Sequence, residues 1–192
     1  MRIGVLALQG AFREHIISLE SLGLGVTATA VRLPEQLEGL DGLIIPGGES
    51  TAISKLMAKY GMYEAIADAH ARGMAIWGTC AGLIIIANSV VDGIEGQRGL
   101  ELMDIVARRN AFGRQINSFE TDLAFDGETI EGVFIRAPWI ESVGPAVEVL
   151  ATYADHAVAA RAGNVMATAF HPELTGDTTV HRYFVEQVVG AE

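Results

Sequence analysis

The sequence has few of the features that mark secreted, membrane-spanning or nucleic-acid-binding proteins. A single cysteine among 192 residues excludes an internal disulfide framework and a thiolate zinc site. No apolar run approaches the roughly 20 residues that a membrane-spanning helix needs, and the start of the chain has no signal-peptide pattern. Thirteen basic side chains against 24 acidic ones give a net charge of −11, which opposes binding to phosphate backbones. We expect a cytoplasmic protein that binds neither nucleic acid nor membrane.

No Pro/Ser-rich or charged linker divides the chain, so residues 1–192 are expected to form a single domain. In the first half, apolar runs that predict buried strands alternate with helical spacing. The strands are predicted over 2–8, 26–31, 43–45 and 74–77. One helix is predicted from Phe12, with Phe12, Ile16 and Leu19 on its apolar face. Others are predicted after Ser50 as N-cap, over 62–72, and after Cys80.

The second half changes to shorter, alternating segments separated by turn residues. Strands are predicted over 102–109, 119–125, 133–135, 147–152, 156–161 and 165–170, and a final helix over 177–189. Strand–helix–strand units followed by such an extension predict an open, mostly parallel α/β sheet with helices on both faces. Ligand sites in these sheets form at the carboxyl ends of the strands, so catalytic residues are expected at those ends.

The only cysteine lies at one of these strand ends. In Gly78-Thr79-Cys80-Ala81-Gly82, an apolar strand turns sharply into a helix-compatible run, which is the pattern of a nucleophile elbow. Unpaired N–H groups at a helix start favour a thiolate. The alternative is a small buried hydrophobe, which is the common role of a lone cysteine.

His171-Pro172-Glu173 supplies a base and a carboxylate after the last predicted strand. Residues two apart in an extended chain point the same way, so His171 and Glu173 suit a Cys–His–carboxylate triad with Cys80. The alternative is a capping histidine beside a solvated glutamate. The other histidines, at positions 15, 70, 156 and 181, show no comparable partner pattern and are expected to be structural or exposed.

Pro46-Gly47-Gly48 ends the third predicted strand and is a candidate oxyanion turn. Glycines let backbone N–H groups approach a ligand without a Cβ in the way. The N–H groups of Gly48 and Ala81 are the candidate oxyanion hole, and a tight structural turn is the alternative. The carboxylates and histidines show no metal-ligand spacing, so no metal and no cofactor are expected.

Together these motifs resemble the class I (triad) glutamine amidotransferases. Three further segments resemble the glutaminase subunits of pyridoxal 5′-phosphate synthase within that class: Leu8-Gln9-Gly10-Ala11-Phe12-Arg13-Glu14-His15, Arg109-Asn110-Ala111-Phe112-Gly113-Arg114-Gln115 and Val133-Phe134-Ile135-Arg136-Ala137-Pro138. The resemblance extends from the first strand to the last helix. It implies the flavodoxin-like, three-layer fold of that class.

The resemblance also implies a reaction and a binding site. Cys80 would attack the side-chain amide of L-glutamine, giving a γ-glutamyl thioester and ammonia, with His171 and Glu173 completing the triad. Glutamine would be held by Gly48, Glu49 and Ser50, by Arg109, and by Ile135 and Arg136. For the two arginines, surface salt bridges are the alternative. Gln9 would lie near the oxyanion region and the partner interface, where a role in coupling is possible.

The implied partner is a (β/α)₈-barrel synthase that uses the ammonia to make pyridoxal 5′-phosphate, in an assembly of twelve subunits of each kind. Pyridoxal phosphate would be a product of the complex and not a cofactor of this chain. Two other functions stay open at this point: a thiol hydrolase or peptidase on the same scaffold, and a non-catalytic subunit. The arginine motifs count against the first, and an intact triad counts against the second.

Overall fold

The computed structural model describes residues 1–94, 96–112 and 118–190. Within these residues, ten strands form one large sheet and two more form a separate antiparallel hairpin. The large sheet contains β1 (Arg2–Leu6), β2 (Thr27–Val31), β3 (Gly42–Ile45), β4 (Ala75–Thr79), β5 (Ala87–Val91), β6 (Met103–Arg108), β9 (Trp139–Val143), β10 (Glu148–Tyr153), β11 (His156–Ala162) and β12 (Val165–Thr168); the hairpin contains β7 (Ser118–Phe125) and β8 (Glu128–Ile135).

The sheet has a parallel part and a largely antiparallel part. Strands β2, β1, β3, β4 and β12 lie side by side in this order, and all four contacts between them are parallel. Every residue of β3, β4 and β12 is buried, as expected of strands covered on both faces. From β12 the sheet continues antiparallel through β11, β9 and β6, with β10 beside β11 and β5 parallel to β6 at the edge. The predicted parallel α/β sheet with an antiparallel extension is confirmed.

Two groups of helices pack against this sheet. The helices are α1 (Phe12–Ser21), α2 (Ser50–Lys59), α3 (Met62–Ala71), α4 (Ala81–Ile86) and α5 (Thr179–Tyr183). A π-helical segment, Phe184–Val189, continues α5, and short 3₁₀ turns span Pro34–Leu37 and Pro172–Leu174. Helix α1 packs on α5, while α2 packs on α3 and α4. In the described part of the chain, no helix is both long enough and apolar enough to cross a bilayer.

The structure differs from the sequence-based expectations at several strands and at one helix face, and β8 begins five residues before the predicted 133–135. Strands β5 and β9 were not predicted, and β5 begins where α4 ends, without an intervening loop. The buried face of α1 carries His15, Ser18 and Leu19, whereas Phe12 and Ile16 are only half-buried. The amphipathic spacing therefore predicted the helix correctly, but the buried face is rotated by about one residue from the predicted one.

Candidate active site

Three neighbouring parallel strands deliver the candidate site residues to one edge of the sheet. Ile45 at the end of β3 is in register with Gly78 of β4, and Thr79 of β4 is in register with Thr168 of β12. The chain segments that follow these strands contain Gly47, Cys80 and His171, respectively. The strand order therefore places the glycine turn, the thiol and the imidazole beside one another.

Cys80 lies in a strained turn between β4 and α4. Its backbone has φ 49° and ψ −100°, and a positive φ is uncommon for a residue with a Cβ. Its N–H donates to the carbonyl of Thr168 at 2.8 Å, which fixes the turn to β12. The strand and helix approach so closely that a Cβ on Gly78 would meet the backbone of Gly82. Cys80 is 6% exposed, and its Sγ lies 3.9 Å from the carbonyl oxygen of Ile135.

His171 and Glu173 meet through a turn and not through an extended strand. Pro172–Leu174 form a 3₁₀ turn, and the His171 side chain does not cap it. Instead, His171 Nδ1 lies 2.8 Å from Glu173 Oε1. The His171 N–H donates to the carbonyl of Val133 at 2.8 Å, which ties this segment to β8. The backbone of His171 is therefore held by β8, and its imidazole is held by Glu173.

Burial and pairing have opposite effects on the two titrating groups. Burial disfavours the His171 imidazolium, but hydrogen bonds and negative charge from Cys80 and Glu173 outweigh it and raise the pKa of His171 to about 10. Burial also disfavours the Glu173 carboxylate, yet His15 and His171 together keep its pKa below the ordinary value. Both effects favour a His171 imidazolium paired with the Glu173 carboxylate.

The glycine turn after β3 lies directly against the imidazole. The Gly47 N–H donates to Thr79 Oγ1 at 2.9 Å, and the Gly47 carbonyl accepts from the Ala11 N–H at 3.1 Å. A Cβ at Gly47 would collide with the His171 ring, so only glycine fits there. Because the C=O and N–H of a trans peptide point in opposite directions, the Gly48 N–H is directed away from Ala11.

One pocket, with a volume of about 410 Å³, contains most of the predicted site residues. This size is within the range of small-molecule sites. Glu173 is buried behind His171, and Gln9 lies outside the pocket wall. The predicted residues that line the pocket are Gly48, Glu49, Ser50, Cys80, Ala81, Arg109, Ile135, Arg136 and His171.

The N-cap of α2 is Glu49 and not Ser50, which the sequence had suggested for this role. Glu49 is the N-cap of α2, where its carboxylate accepts from the N–H groups of Thr51 at 3.0 Å and Ala52 at 2.7 Å. A hydrogen bond from the Thr51 hydroxyl contributes most to lowering the Glu49 pKa. Ser50 is the first helical residue, and its buried Oγ has no hydrogen-bond partner in the part of the chain described. The Glu49 N–H donates to Gln9 Oε1 at 2.9 Å, so Gln9 braces this turn.

The opposite wall of the pocket comes from the antiparallel part of the fold. Arg109 follows β6, and its Nη1 donates to Gln97 Oε1 at 2.8 Å. Arg136 follows β8 with a positive φ of 44°. Neither arginine forms an ion pair with another of the described residues. Of the motif from Arg109 to Gln115, positions 113–115 lie outside the described residues.

Two histidines that the sequence left as structural or exposed lie directly behind the site. His15 and His181 are both fully buried, and His15 Nε2 lies 3.4 Å from Glu173 Oε2. The sequence does carry a signal for His15, because it precedes Leu19 by four residues and so shares its buried helix face. Among the described residues, no three His, Cys, Asp or Glu side chains group closely enough to hold a metal ion.

Comparison with known proteins gives one consistent family. The SNO glutamine amidotransferase family matches residues 5–190. The pyridoxal 5′-phosphate synthase subunit PdxT of Herpetosiphon aurantiacus is 57% identical over 190 residues, covering 96% of this chain and 99% of the relative. PdxT of Oenococcus oeni is 55% identical, covering 97% and 96%.

Solved structures agree with this assignment. A crystal structure of a glutamine amidotransferase superposes with a TM-score of 0.91 at 48% identity and covers 98% of each chain. A putative GMP synthase component from Thermoplasma acidophilum, at 18% identity and a TM-score of 0.67, shares the fold and covers 99% of this chain and 92% of its own. The chain therefore belongs to the SNO glutamine amidotransferase family.

Proposed function

We propose that this chain hydrolyses L-glutamine to L-glutamate and ammonia, with Cys80 as the nucleophile. The observation that carries the proposal is the pocket in which a thiol on a strained elbow, the imidazole of His171 and two arginines meet. A thiol and a base provide for acyl transfer. Arginines that line the same pocket suit an amino acid's α-carboxylate, which a guanidinium binds in a bidentate manner.

The reaction has two halves. The Cys80 thiolate attacks the side-chain amide carbon, and the tetrahedral intermediate collapses as the His171 imidazolium gives its Nε2 proton to the leaving ammonia. The resulting γ-glutamyl thioester is then attacked by water, whose proton returns to His171, and glutamate leaves. Glu173, bonded to Nδ1, fixes the tautomer that leaves Nε2 facing the thiol and stabilises the imidazolium.

The oxyanion of both intermediates is assigned to the N–H groups of Gly48 and Ala81. Ala81 directly follows the nucleophile, and both residues line the pocket. The hydrogen bond from Ala11 to the Gly47 carbonyl supports this role for Gly48, because it turns the Gly48 N–H away from Ala11. Preorganised donors of this kind contribute about 3 to 4 kcal/mol each to transition-state stabilisation.

Glutamine binding is assigned to Gly48, Glu49 and Ser50 on one side and to Arg109, Ile135 and Arg136 on the other. Ser50 Oγ supports this assignment because it is a buried hydroxyl that lacks a partner among the described residues, and substrate would supply one. The Glu49 carboxylate is engaged with the α2 N-terminus, so Glu49 contributes its main chain and its negative charge.

We assign the ammonia to a partner synthase that makes pyridoxal 5′-phosphate, because the relatives at 57% and 55% identity are named as subunits of that synthase. Ammonia released into water would be protonated and lost as a nucleophile, so a protected path to the partner is needed. The partner is proposed to be a (β/α)₈ barrel in an assembly of twelve subunits of each kind, in the cytoplasm. Gln9 is proposed to couple partner binding to the oxyanion hole, and its contact with the Glu49 N–H in the Gly48–Glu49 turn supports this role.

The test is ammonia release from L-glutamine by the wild type and by Cys80→Ala, each with and without the partner synthase. We expect Cys80→Ala to abolish turnover with an unchanged circular dichroism spectrum, and the wild type to be faster with the partner. Undiminished turnover in Cys80→Ala would overturn the proposal. So would a wild type that hydrolyses peptides or esters without preferring glutamine, which would instead identify a general thiol hydrolase.

A further inference from the structure

A cluster of buried histidines lies behind the triad, on the side away from the pocket. His15 comes from α1 and His181 from α5, and both have no exposed surface. Trp77 of β4 packs edge-on against both, with ring centroids 5.4 Å from His15 and 5.0 Å from His181. His15 Nδ1 lies 2.9 Å from His181 Nε2. Since buried imidazoles are retained at a cost unless they are paired, this cluster requires an explanation.

The two oxygens of Glu173 have different surroundings. Oε1 pairs with His171, whereas Oε2 is buried without a conventional hydrogen bond among the described residues. His15 Nε2 lies 3.4 Å from Oε2 and 3.3 Å from Thr79 Oγ1. Leaving a buried carboxylate oxygen without a donor is costly, so a proton on His15 Nε2 that points between these two oxygens is strongly favoured.

This proton fixes the tautomers of the whole cluster. If His15 carries its proton on Nε2, its Nδ1 must accept, and His181 donates from Nε2. His181 Nδ1, which has no partner among the described residues, is then a bare acceptor. The opposite assignment would set a lone pair against the carboxylate and leave a buried N–H unpaired, which is rarer and more costly.

The pKa shifts of His15 and His181 agree with uncharged imidazole rings. Burial lowers the pKa of His15, while Glu173 raises it and His171 lowers it, with a small raising effect from Glu14 on the same helix. Burial, followed by the effect of His15, lowers the pKa of His181 well below its ordinary value. Both rings are therefore uncharged near neutral pH and act through their N–H groups.

His15 also reaches the glycine turn on the other side of the site. Thr79 Oγ1, next to His15 Nε2, accepts the hydrogen bond from the Gly47 N–H. One imidazole N–H is thus shared between the carboxylate that orients the base and the hydroxyl that anchors the candidate oxyanion turn. Among the described residues, only His15 makes polar contacts with both Glu173 and Thr79.

We propose that His15 is a positioning residue of the glutaminase reaction, oriented by His181, which holds Glu173 in the rotamer that presents Oε1 to His171 and at the same time steadies the Thr79–Gly47 contact. The inference rests on the proposed function. It extends the buried side of the triad by two residues that do not touch the substrate.

The test compares two polar substitutions that differ by one methylene group. In His15→Gln the side-chain amide reaches the position of the imidazole Nε2 and keeps a donor for Glu173, whereas in His15→Asn it reaches only the position of Nδ1. We expect His15→Asn to lower kcat by about 10- to 100-fold, as misplacement of a catalytic group does, with little change in KM. His15→Gln should keep most of the wild-type kcat.

A second readout does not depend on turnover or on the partner. Because Cys80 is the only cysteine, alkylation by iodoacetamide, followed by mass spectrometry, reports its thiolate alone. His15→Asn should slow alkylation at neutral pH and move its pH midpoint upward, because a displaced Glu173 supports the His171 imidazolium less well. His15→Gln should follow the wild-type profile.

Leu19→Ala is the control for a purely structural role. Leu19 lies one turn after His15 on α1 and is equally buried, so this variant loses stability without losing a contact to Glu173. It should lower the melting temperature but keep the alkylation profile. Equal losses in His15→Gln and His15→Asn, or wild-type behaviour of a folded His15→Asn, would overturn the inference. A wild type that does not hydrolyse glutamine would refute the proposed function instead, while the alkylation profiles would still judge His15.

Discussion

Cys80 and Arg109 line the same pocket, but the protein holds them in different ways. Cys80 follows a strand in which every residue is buried, and its turn is bonded to β12 and packed against α4. Arg109 is half-buried after β6, a strand of alternating burial, and its guanidinium is held by one hydrogen bond to Gln97. The proposed reacting groups and the Gly48–Ser50 turn thus belong to the core, and we call this side the core wall. The two arginines proposed to bind glutamine belong to the antiparallel part of the fold, and we call that side the binding wall. Changes on the first wall should affect folding and chemistry together, whereas changes on the second should affect binding alone.

The largest expected effect tests the rigidity of the core wall. In Gly82→Ala the new Cβ would overlap the carbonyl group of Ile45, and backbone cannot move aside as a flexible side chain can. We expect a loss of about 3 kcal/mol in the free energy of unfolding, the upper end of the usual range for overpacking, with activity lost in parallel. Urea denaturation and the glutaminase assay measure the two. Gly176→Ala is the matched control, because Gly176 has open space around it; a mild Gly82→Ala would mean that the elbow is not closely packed.

The second prediction uses the titrating pair on the core wall. The pKa of His171 is about 10 in the folded chain against an ordinary 6.5, so the folded state binds more protons between these values. The resulting stabilisation is complete below pH 6.5 and is lost as the pH rises through about 10. The stability difference between the wild type and His171→Gln should therefore shrink over this window by roughly 2 to 4 kcal/mol. Urea melts at several pH values measure it, and a constant difference would contradict the pairing.

The third prediction concerns the binding wall. Arg109→Ala should raise KM for glutamine by about 10- to 100-fold, the value of one charge-assisted hydrogen bond, while kcat and the melting temperature change little. Arg108→Ala is the adjacent control, because Arg108 is bonded to Glu141 and Asp92. A large fall in kcat for Arg109→Ala with an unchanged KM would mean that the two walls are not separate in function.

The same contrast explains how far the sequence could be interpreted. On the core wall, buried parallel strands give unbroken apolar runs, and their carboxyl ends meet at one edge. Gly48, Cys80 and His171 could therefore be placed together from spacing alone. On the binding wall, Arg109 follows β6, whose antiparallel partner β9 is distant in sequence, and Arg136 follows β8 of the separate hairpin. No local pattern brings them to the pocket, and only the family resemblance selected them.

The missed features share a tertiary cause. Only one of the five residues of β9, Ile140, is buried, so the strand has little apolar pattern of its own, and β5 follows α4 without a turn signal. His15 gains its role only because α1 packs against the Pro172–Leu174 turn. At Ser50, the sequence favoured the residue with the better N-cap propensity, whereas the structure uses the carboxylate before it.

The use of Glu49 as the N-cap of α2 gives the prediction with the smallest expected effect. The Glu49 carboxylate accepts from the Thr51 and Ala52 N–H groups, so Glu49→Ala should cost about 1 kcal/mol of unfolding free energy, as loss of an N-cap does. Glu49→Gln keeps an acceptor oxygen and should cost less. Because the carboxylate is turned towards α2, KM for glutamine should rise less than in Arg109→Ala. If KM rises more than in Arg109→Ala while stability is unchanged, the Glu49 carboxylate holds the substrate's α-ammonium group instead of serving mainly as the cap of α2.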